Sequence, residues 1–286
     1  MSIKFEKVGY IYDHQSPFEF VALKEVDLTI QTGKVTAIIG NTGSGKSTLV
    51  QHLNVLLRPT SGKLTVLDKV ISSDEKTKQL KQLRKKVGLV FQFPEYQLFE
   101  ETILKDVSFG PRNFSSDEER IIESSKRALS LVGMDEPYYE RSPLDLSGGQ
   151  KRRVAIAGIL ALDPEVLVLD EPTAGLDPQG SKQMMSLFKE LNVDYGKTVL
   201  IVTHDMDHVL NYCDEVVVMR KGCVYYQNDV HSFFKDETIW NELKIEQPNI
   251  IKAKQMLIDK GFMIDENIFD LESLVNQLKS QVKSNG

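Results

Sequence analysis

The run Gly40-Asn41-Thr42-Gly43-Ser44-Gly45-Lys46-Ser47-Thr48 fits the phosphate-loop spacing G-x-x-x-x-G-K-S. Glycines let backbone N–H groups converge on an anion at a helix N-terminus, the lysine reaches terminal phosphates, and Ser47 can ligate Mg²⁺. Later in the chain, Val166-Leu167-Val168-Leu169 runs straight into Asp170-Glu171. Two carboxylates ending a buried apolar run are costly unless they meet a cation or a substrate. Asp170 is therefore a metal ligand, direct or through water. Glu171, one residue on and pointing differently, is the natural general base for an attacking water. A third signal is Leu146-Ser147-Gly148-Gly149-Gln150, followed by a helix from Lys151. Its glycines free N–H groups for a second anion site, and Ser147 adds a hydroxyl donor.

These groups need elements to aim them. Ile3 to Val8, Val26 to Ile30 and Val35 to Ile39 read as strands, and Thr48 to Leu57 as the helix after the glycine-rich turn. Strand, loop and helix in that order open a parallel α/β sheet. A further strand is expected from Val87 to Gln92. Helical segments follow between about Thr102 and Leu162, broken by Pro111, Pro137 and Pro143, and form an insertion. Strands return at Val166 to Leu169, Val199 to Thr203 and Glu215 to Met219, apolar as buried parallel strands are. Beyond Asn228 the chain reads as polar helix. Its last stretch places Leu271, Leu274, Val275, Leu278 and Val282 on one face, capped by Asp270. That stripe suits packing on its own domain or contact with a partner subunit.

Composition narrows the function classes. Of 286 residues, 41% are apolar, enough for a sizeable core. A net charge of −6 gives no electrostatic footprint for nucleic acid, and the basic stretch Lys76 to Lys86 reads as a solvated helix face. Cys213 and Cys223 match no metal-ligand spacing and suit a reducing compartment. The start lacks a signal-peptide core, and no run approaches the roughly 20 apolar residues of a membrane span. The expectation is a cytosolic chain that meets a membrane only through partners.

Taken in order, phosphate loop, LSGGQ turn and strand-end Asp-Glu resemble the ABC ATPase family over about residues 3 to 227. The resemblance implies an α/β fold: a RecA-like P-loop core with a split mixed sheet, a helical subdomain inserted at about 95–162, and a short helical C-terminal extension over 228–286. It implies ATP and Mg²⁺ as ligands. It also implies roles for single residues. Gln92 resembles the glutamine that senses Mg²⁺ and the attacking water, and His204 the histidine that contacts the γ-phosphate. Ala174-Gly175-Leu176-Asp177 resembles the loop that crosses the dimer seam. Ser147, Gly148, Gly149 and Gln150 would face the nucleotide of the other subunit. An N-terminal aromatic should stack on adenine; Tyr12 is the choice, with Phe18 and Phe20 as rivals. A narrower resemblance lies in Gln92-Phe93-Pro94-Glu95-Tyr96-Gln97-Leu98-Phe99 and the ETILKDVSFGP after it, which are similar to the ATPases of energy-coupling factor (ECF) transporters, the second of their paired subunits in particular. That implies a heterodimer on an integral membrane subunit at the cytoplasmic face, with a separate membrane protein binding a vitamin or metal ion. Phe93, Tyr96, Leu98 and Phe99 would form a groove for a partner helix or, alternatively, core under the insertion. Other readings are another ABC importer ATPase, or a soluble ABC ATPase acting on nucleic acid or ribosomes.

Overall fold

A computed structural model of the chain describes residues 2–73 and 80–284; positions 76–79 of the basic stretch lie outside the described residues. The N-terminal half contains β1 (Ser2–Tyr12), β2 (Phe20–Gln31), β3 (Val35–Ile39), α1 (Lys46–Leu53), β4 (Ser61–Val66), β5 (Lys69–Ser72), α2 (Leu80–Lys86) and β6 (Val87–Val90). The helical insertion holds α3 (Ile103–Arg112), α4 (Glu118–Leu131) and α5 (Gly148–Leu160). After it come β7 (Val166–Asp170), α6 (Pro178–Val193), β8 (Thr198–Val202), α7 (Met206–Tyr212), β9 (Glu215–Arg220) and β10 (Cys223–Asp229). The extension consists of α8 (Val230–Lys235), α9 (Glu237–Leu243), α10 (Asn249–Asp259) and α11 (Leu271–Ser284).

Two sheets result, a four-stranded one ordered β2-β1-β4-β5 and a six-stranded one ordered β10-β9-β3-β8-β7-β6. The first is antiparallel throughout; in the second only the β10 edge is antiparallel. Strand residues of the large sheet alternate between two cores. Ala37, Leu167, Leu169 and Ile201 face the insertion and extension, while Ile38, Val168, Leu200 and Val217 face the small sheet. Burial on both faces explains the near-continuous apolar runs.

Several boundaries differ from the expectation. The helix after the phosphate loop starts at Lys46 and stops at Leu53, not Leu57. The Asn54 side chain takes the Leu56 N–H, Arg84 takes the Asn54 and Val55 carbonyls, and Val55 turns left-handed at φ 56°. The sixth strand ends at Val90, leaving Gln92 on a loop. Strands β4, β5 and β10 were not anticipated. Cys213 is buried and Cys223 exposed. Asp270 does cap α11, accepting the Ser273 N–H at 2.8 Å. Of the α11 stripe Leu274 is buried, but Leu271 is 68% exposed, and the Val282 side chain lies outside the described residues. Among the described residues no helix is long and apolar enough to cross a membrane.

Candidate active site

Strand register alone assembles the site. Ile38 pairs with Val202, Asp170 with Val202, and Val90 with Leu169, so β3, β8, β7 and β6 end level with one another. Gly40, His204, Glu171 and Gln92 each follow one of those carboxyl ends within two residues. An open parallel sheet places its ligands in that crevice.

The phosphate loop has the backbone the motif requires. Gly40 sits at φ 142°, where a Cβ would lie 2.2 Å from the Met219 carbonyl oxygen. Gly45 ends the loop in the left-handed region at φ 102°, just before Lys46 opens α1. Lys46 Nζ donates to the carbonyls of Gly40 at 2.7 Å and Asn41 at 3.1 Å. Burial pulls its ammonium below the usual lysine range, opposed by the carboxylates of Glu171 and Asp170. The Ser44 hydroxyl is buried without a hydrogen-bond partner among the described residues. Asn41, Thr42, Gly43 and Ser44 border a cavity of about 270 Å³ with Arg220 and Glu242. Thr48 is nearly buried and its hydroxyl meets Tyr12 Oη at 3.2 Å. Tyr12 also packs its ring edge-on against Tyr10. Phe18 and Phe20 are 82% and 58% exposed, so neither is core.

Asp170 ends β7 half-buried. Burial raises its carboxyl above the usual range, opposed by a hydrogen bond from the Ser47 hydroxyl and by the Lys46 charge. A buried carboxylate paired to a hydroxyl beside one cation offers hard oxygen donors, which fit Mg²⁺. Glu171 adopts φ 50°, a left-handed conformation that costs a non-glycine residue about 1–3 kcal/mol. Its N–H bonds the Val202 carbonyl at 3.0 Å, which fixes the turn. The turn aims Glu171 Oε1 at His204 Nδ1, 3.0 Å away. Gln92 is exposed at the same edge.

Ser147 caps α5. Its oxygen accepts the Gln150 N–H at 3.3 Å, while Gln150 Oε1 accepts the Ser147 N–H at 3.0 Å, a reciprocal capping box. The Ser147 proton remains to be donated elsewhere. Ser147, Gly149, Gln150, Leu176 and Asp177 border one cavity of about 300 Å³. Among the described residues it shares no lining with the phosphate-loop cavity. The phosphate loop and the LSGGQ turn thus border two separate cavities. Asp177 is committed to its own helix, accepting the Gly180 N–H at 2.7 Å.

Arg152 was missed by sequence reasoning. It is 2% exposed and makes a forked pair with Glu95, Nε to Oε2 at 3.1 Å and Nη2 to Oε1 at 2.9 Å. Its Nη1 donates to the carbonyls of Pro172 and Ala174, and Phe93 lies 5.7 Å over the guanidinium. One side chain therefore joins the α5 turn, the segment after Gln92 and the segment after Glu171. Beside it Phe93, Tyr96 and Phe99 are 40%, 85% and 64% exposed, with Phe99 edge-on to Phe109. Only Leu98 packs on the core, so the reading of this cluster as core under the insertion does not hold.

Residues 23–174, more than half of the chain, match the family model for the ABC transporter. The chain belongs to the ABC transporter ATPase family. Within it, the similarity is to ECF ATPases. The ECF transporter ATP-binding protein EcfA2 of Enterococcus faecalis is 47% identical over 286 residues, covering 100% of this chain and 99% of that protein. Its counterpart in Spiroplasma kunkelii is 48% identical over 280 residues, 97% of this chain and 92% of that protein. Among solved structures, CbiO1 of Clostridium perfringens, part of the ABC transporter complex CbiONQ, superposes with a TM-score of 0.74 at 40% identity, covering 88% of this chain and 98% of that one. A dimeric ATP-binding cassette in a post-hydrolysis state with ADP and Pi superposes at 0.70 and 31% identity, over 80% of this chain and 98% of that one. The ABC family's loop, LSGGQ turn and strand-end acids are thus all carried by a matching fold.

Proposed function

We infer that the chain is the ATP-binding and ATP-hydrolysing subunit of an ECF-type importer, energising uptake of a vitamin or other micronutrient through a membrane partner. The observation that carries this is the convergence of Lys46, Asp170, Glu171 and His204 at one sheet edge in a chain 47% identical to an ECF ATPase. The chemistry is phosphoryl transfer from ATP to water, in which positioning and charge stabilisation do most of the catalysis. Gly40 through Gly45 offer backbone N–H groups to the phosphates, and Lys46 reaches the terminal ones. Ser47, Asp170 and Gln92 are the donors for Mg²⁺, which neutralises phosphate charge when bound. Glu171 orients the attacking water and accepts its proton, while His204 Nδ1 holds the carboxylate. Tyr12 is the adenine platform, with the exposed Phe18 and Phe20 as the alternatives.

The LSGGQ surface is complete only against another subunit's nucleotide. Ser147, Gly148, Gly149, Gln150 and Asp177 therefore serve a partner ATPase, in a heterodimer of two related chains. The exposed Phe93, Tyr96 and Phe99 form the docking groove for a helix of an integral membrane subunit, and a separate membrane protein binds the cargo. The chain sits peripherally on the cytoplasmic face. Residues 1–227 form the ATPase unit with its insertion at about 95–162, and 228–286 a helical extension that contributes to dimer contact. Glu171→Gln is expected to keep ATP affinity and lower turnover by at least about 100-fold, the lower end of the range for loss of a general base. Normal turnover would refute the role of Glu171.

A further inference from the structure

His204 is 83% exposed as a side chain and sits on the loop between β8 and α7. An exposed side chain holds one geometry only if its backbone is gripped, and two grips close on the first turn of α7. From the core side, His208 Nε2 meets Ser181 Oγ at 3.1 Å, tying α7 to α6, the helix that Asp177 caps. From the opposite side comes the C-terminal extension. Asn249, the first residue of α10, donates its backbone N–H to Asp207 Oδ1 at 2.9 Å and its Nδ2 to Asp207 Oδ2 at 2.7 Å. Both oxygens of one carboxylate are engaged by one residue.

The donor is itself anchored. Pro248 before it is buried, and Ile250 and Ile251 after it pack on the main core. Lys252 bonds Glu246 at 2.7 Å across the entry to the helix. Residues 246, 247, 249 and 252 face His204 through Asp207 across a polar cavity of about 250 Å³. The extension thus reaches the helix turn after His204 through a two-point contact. A charged acceptor makes such bonds shorter and stronger than neutral ones.

We propose that Asn249 is a positioning residue for hydrolysis: through Asp207 it fixes the α7 turn and with it His204 against Glu171. The proposal rests on the reading of His204 as a catalytic group. It gives the extension a role in turnover within its own subunit, apart from any contact it makes with a partner. Asn249→Asp places two carboxylates face to face where one bond pair stood. D207N in that background restores a donor-acceptor pair with the polarity reversed.

The test uses the full chain assembled with the subunits it purifies with, measuring kcat and KM for ATP, unfolding midpoint and assembly size. N249D is expected to lower kcat about tenfold with KM within about twofold, since it replaces the charge-assisted side-chain bond with a like-charge contact, a change worth roughly one decade. The double variant N249D/D207N should recover most of that loss. In an H204A background N249D should cost nothing further, because the group it positions is gone. N249A, which drops only the side-chain bond, carries the same pattern at about threefold should N249D fail to assemble. Unchanged kcat in N249D and N249A, an equal fall in the H204A background, or no rescue by D207N overturns the proposal. Full kcat in H204A alone is a different failure, because it removes His204 from the chemistry and the proposal with it.

Discussion

Removing the Glu95 carboxylate should reveal how much of the site's support passes through one ion pair. Glu95 is 15% exposed and Arg152 3% as side chains, so the pair is largely out of water. Breaking a buried pair by deleting one partner leaves an uncompensated charge and costs about 3–5 kcal/mol. Two of the four Arg152 hydrogen bonds, those to Pro172 and Ala174, survive in Glu95→Ala. The expected cost is therefore at the lower end, about 3 kcal/mol, which for a chain this size moves the unfolding midpoint by roughly 6–12 °C. Arg152→Met removes the orphaned charge. The double variant E95A/R152M should accordingly be more stable than E95A alone, as apolar replacement of a whole buried pair is often neutral. Thermal unfolding followed by circular dichroism reads both quantities. The reasoning is refuted if E95A shifts the midpoint by less than about 2 °C, or if the double variant loses the sum of the two single losses.

Two other perturbations test the scaffold of the phosphate loop. Gly40→Ala should destabilise the chain and abolish ATP binding, because its Cβ would meet the Met219 oxygen at 2.2 Å. Gly43→Ala, at φ 77° with open space around it, should cost only the left-handed backbone term of about 1–2 kcal/mol; equal losses in the two variants would contradict the geometry. His52 on α1 is wholly buried, its Nδ1 donating to the Thr48 carbonyl at 2.7 Å, and burial pushes the imidazole down to about 4 from 6.5. Its folded pKa is depressed, so the unfolded chain binds the extra proton first, and stability present above pH 6.5 drains away as pH falls toward 4. Between pH 7.5 and 5 this amounts to about 2 kcal/mol. His52→Gln keeps a donor without the titration and should flatten that part of the stability profile; an unchanged slope would exclude His52 as its source.

What the sequence disclosed and what it hid divide along a physical line. The phosphate loop, the strand-end acids and the LSGGQ turn are legible because their chemistry needs fixed residue types at fixed local spacing, and the strand and helix around each are local too. The five parallel strands of the large sheet were legible from their apolar runs, but its exposed β10 edge was not, and nor was β4, since Ser61, Gly62 and Lys63 are exposed and carry no alternation. The left-handed turn at Glu171 leaves no mark in composition, because the bond from its N–H to Val202 that fixes it comes from another strand. The Glu95–Arg152 fork and the Asn249–Asp207 contact join residues 57 and 42 positions apart. Each member alone reads as an ordinary surface polar residue.

That division bears on how such an ATPase is coupled. The phosphate loop, the strand-end acids and the LSGGQ turn answer to local chemistry. The Arg152 contacts that join the segments beside them answer to packing between distant parts of the chain. Arg152 binds the segment leading to the exposed Phe93 and Tyr96 and the segment leaving Glu171 with one guanidinium. A displacement of one segment therefore cannot occur without either moving the other or stripping a buried cation of its carboxylate. The second course costs several kcal/mol, more than the local bending of a loop. The segment bearing the exposed Phe93 and Tyr96 and the segment leaving Glu171 are thereby made to move together, by the same burial that makes the pair expensive to break.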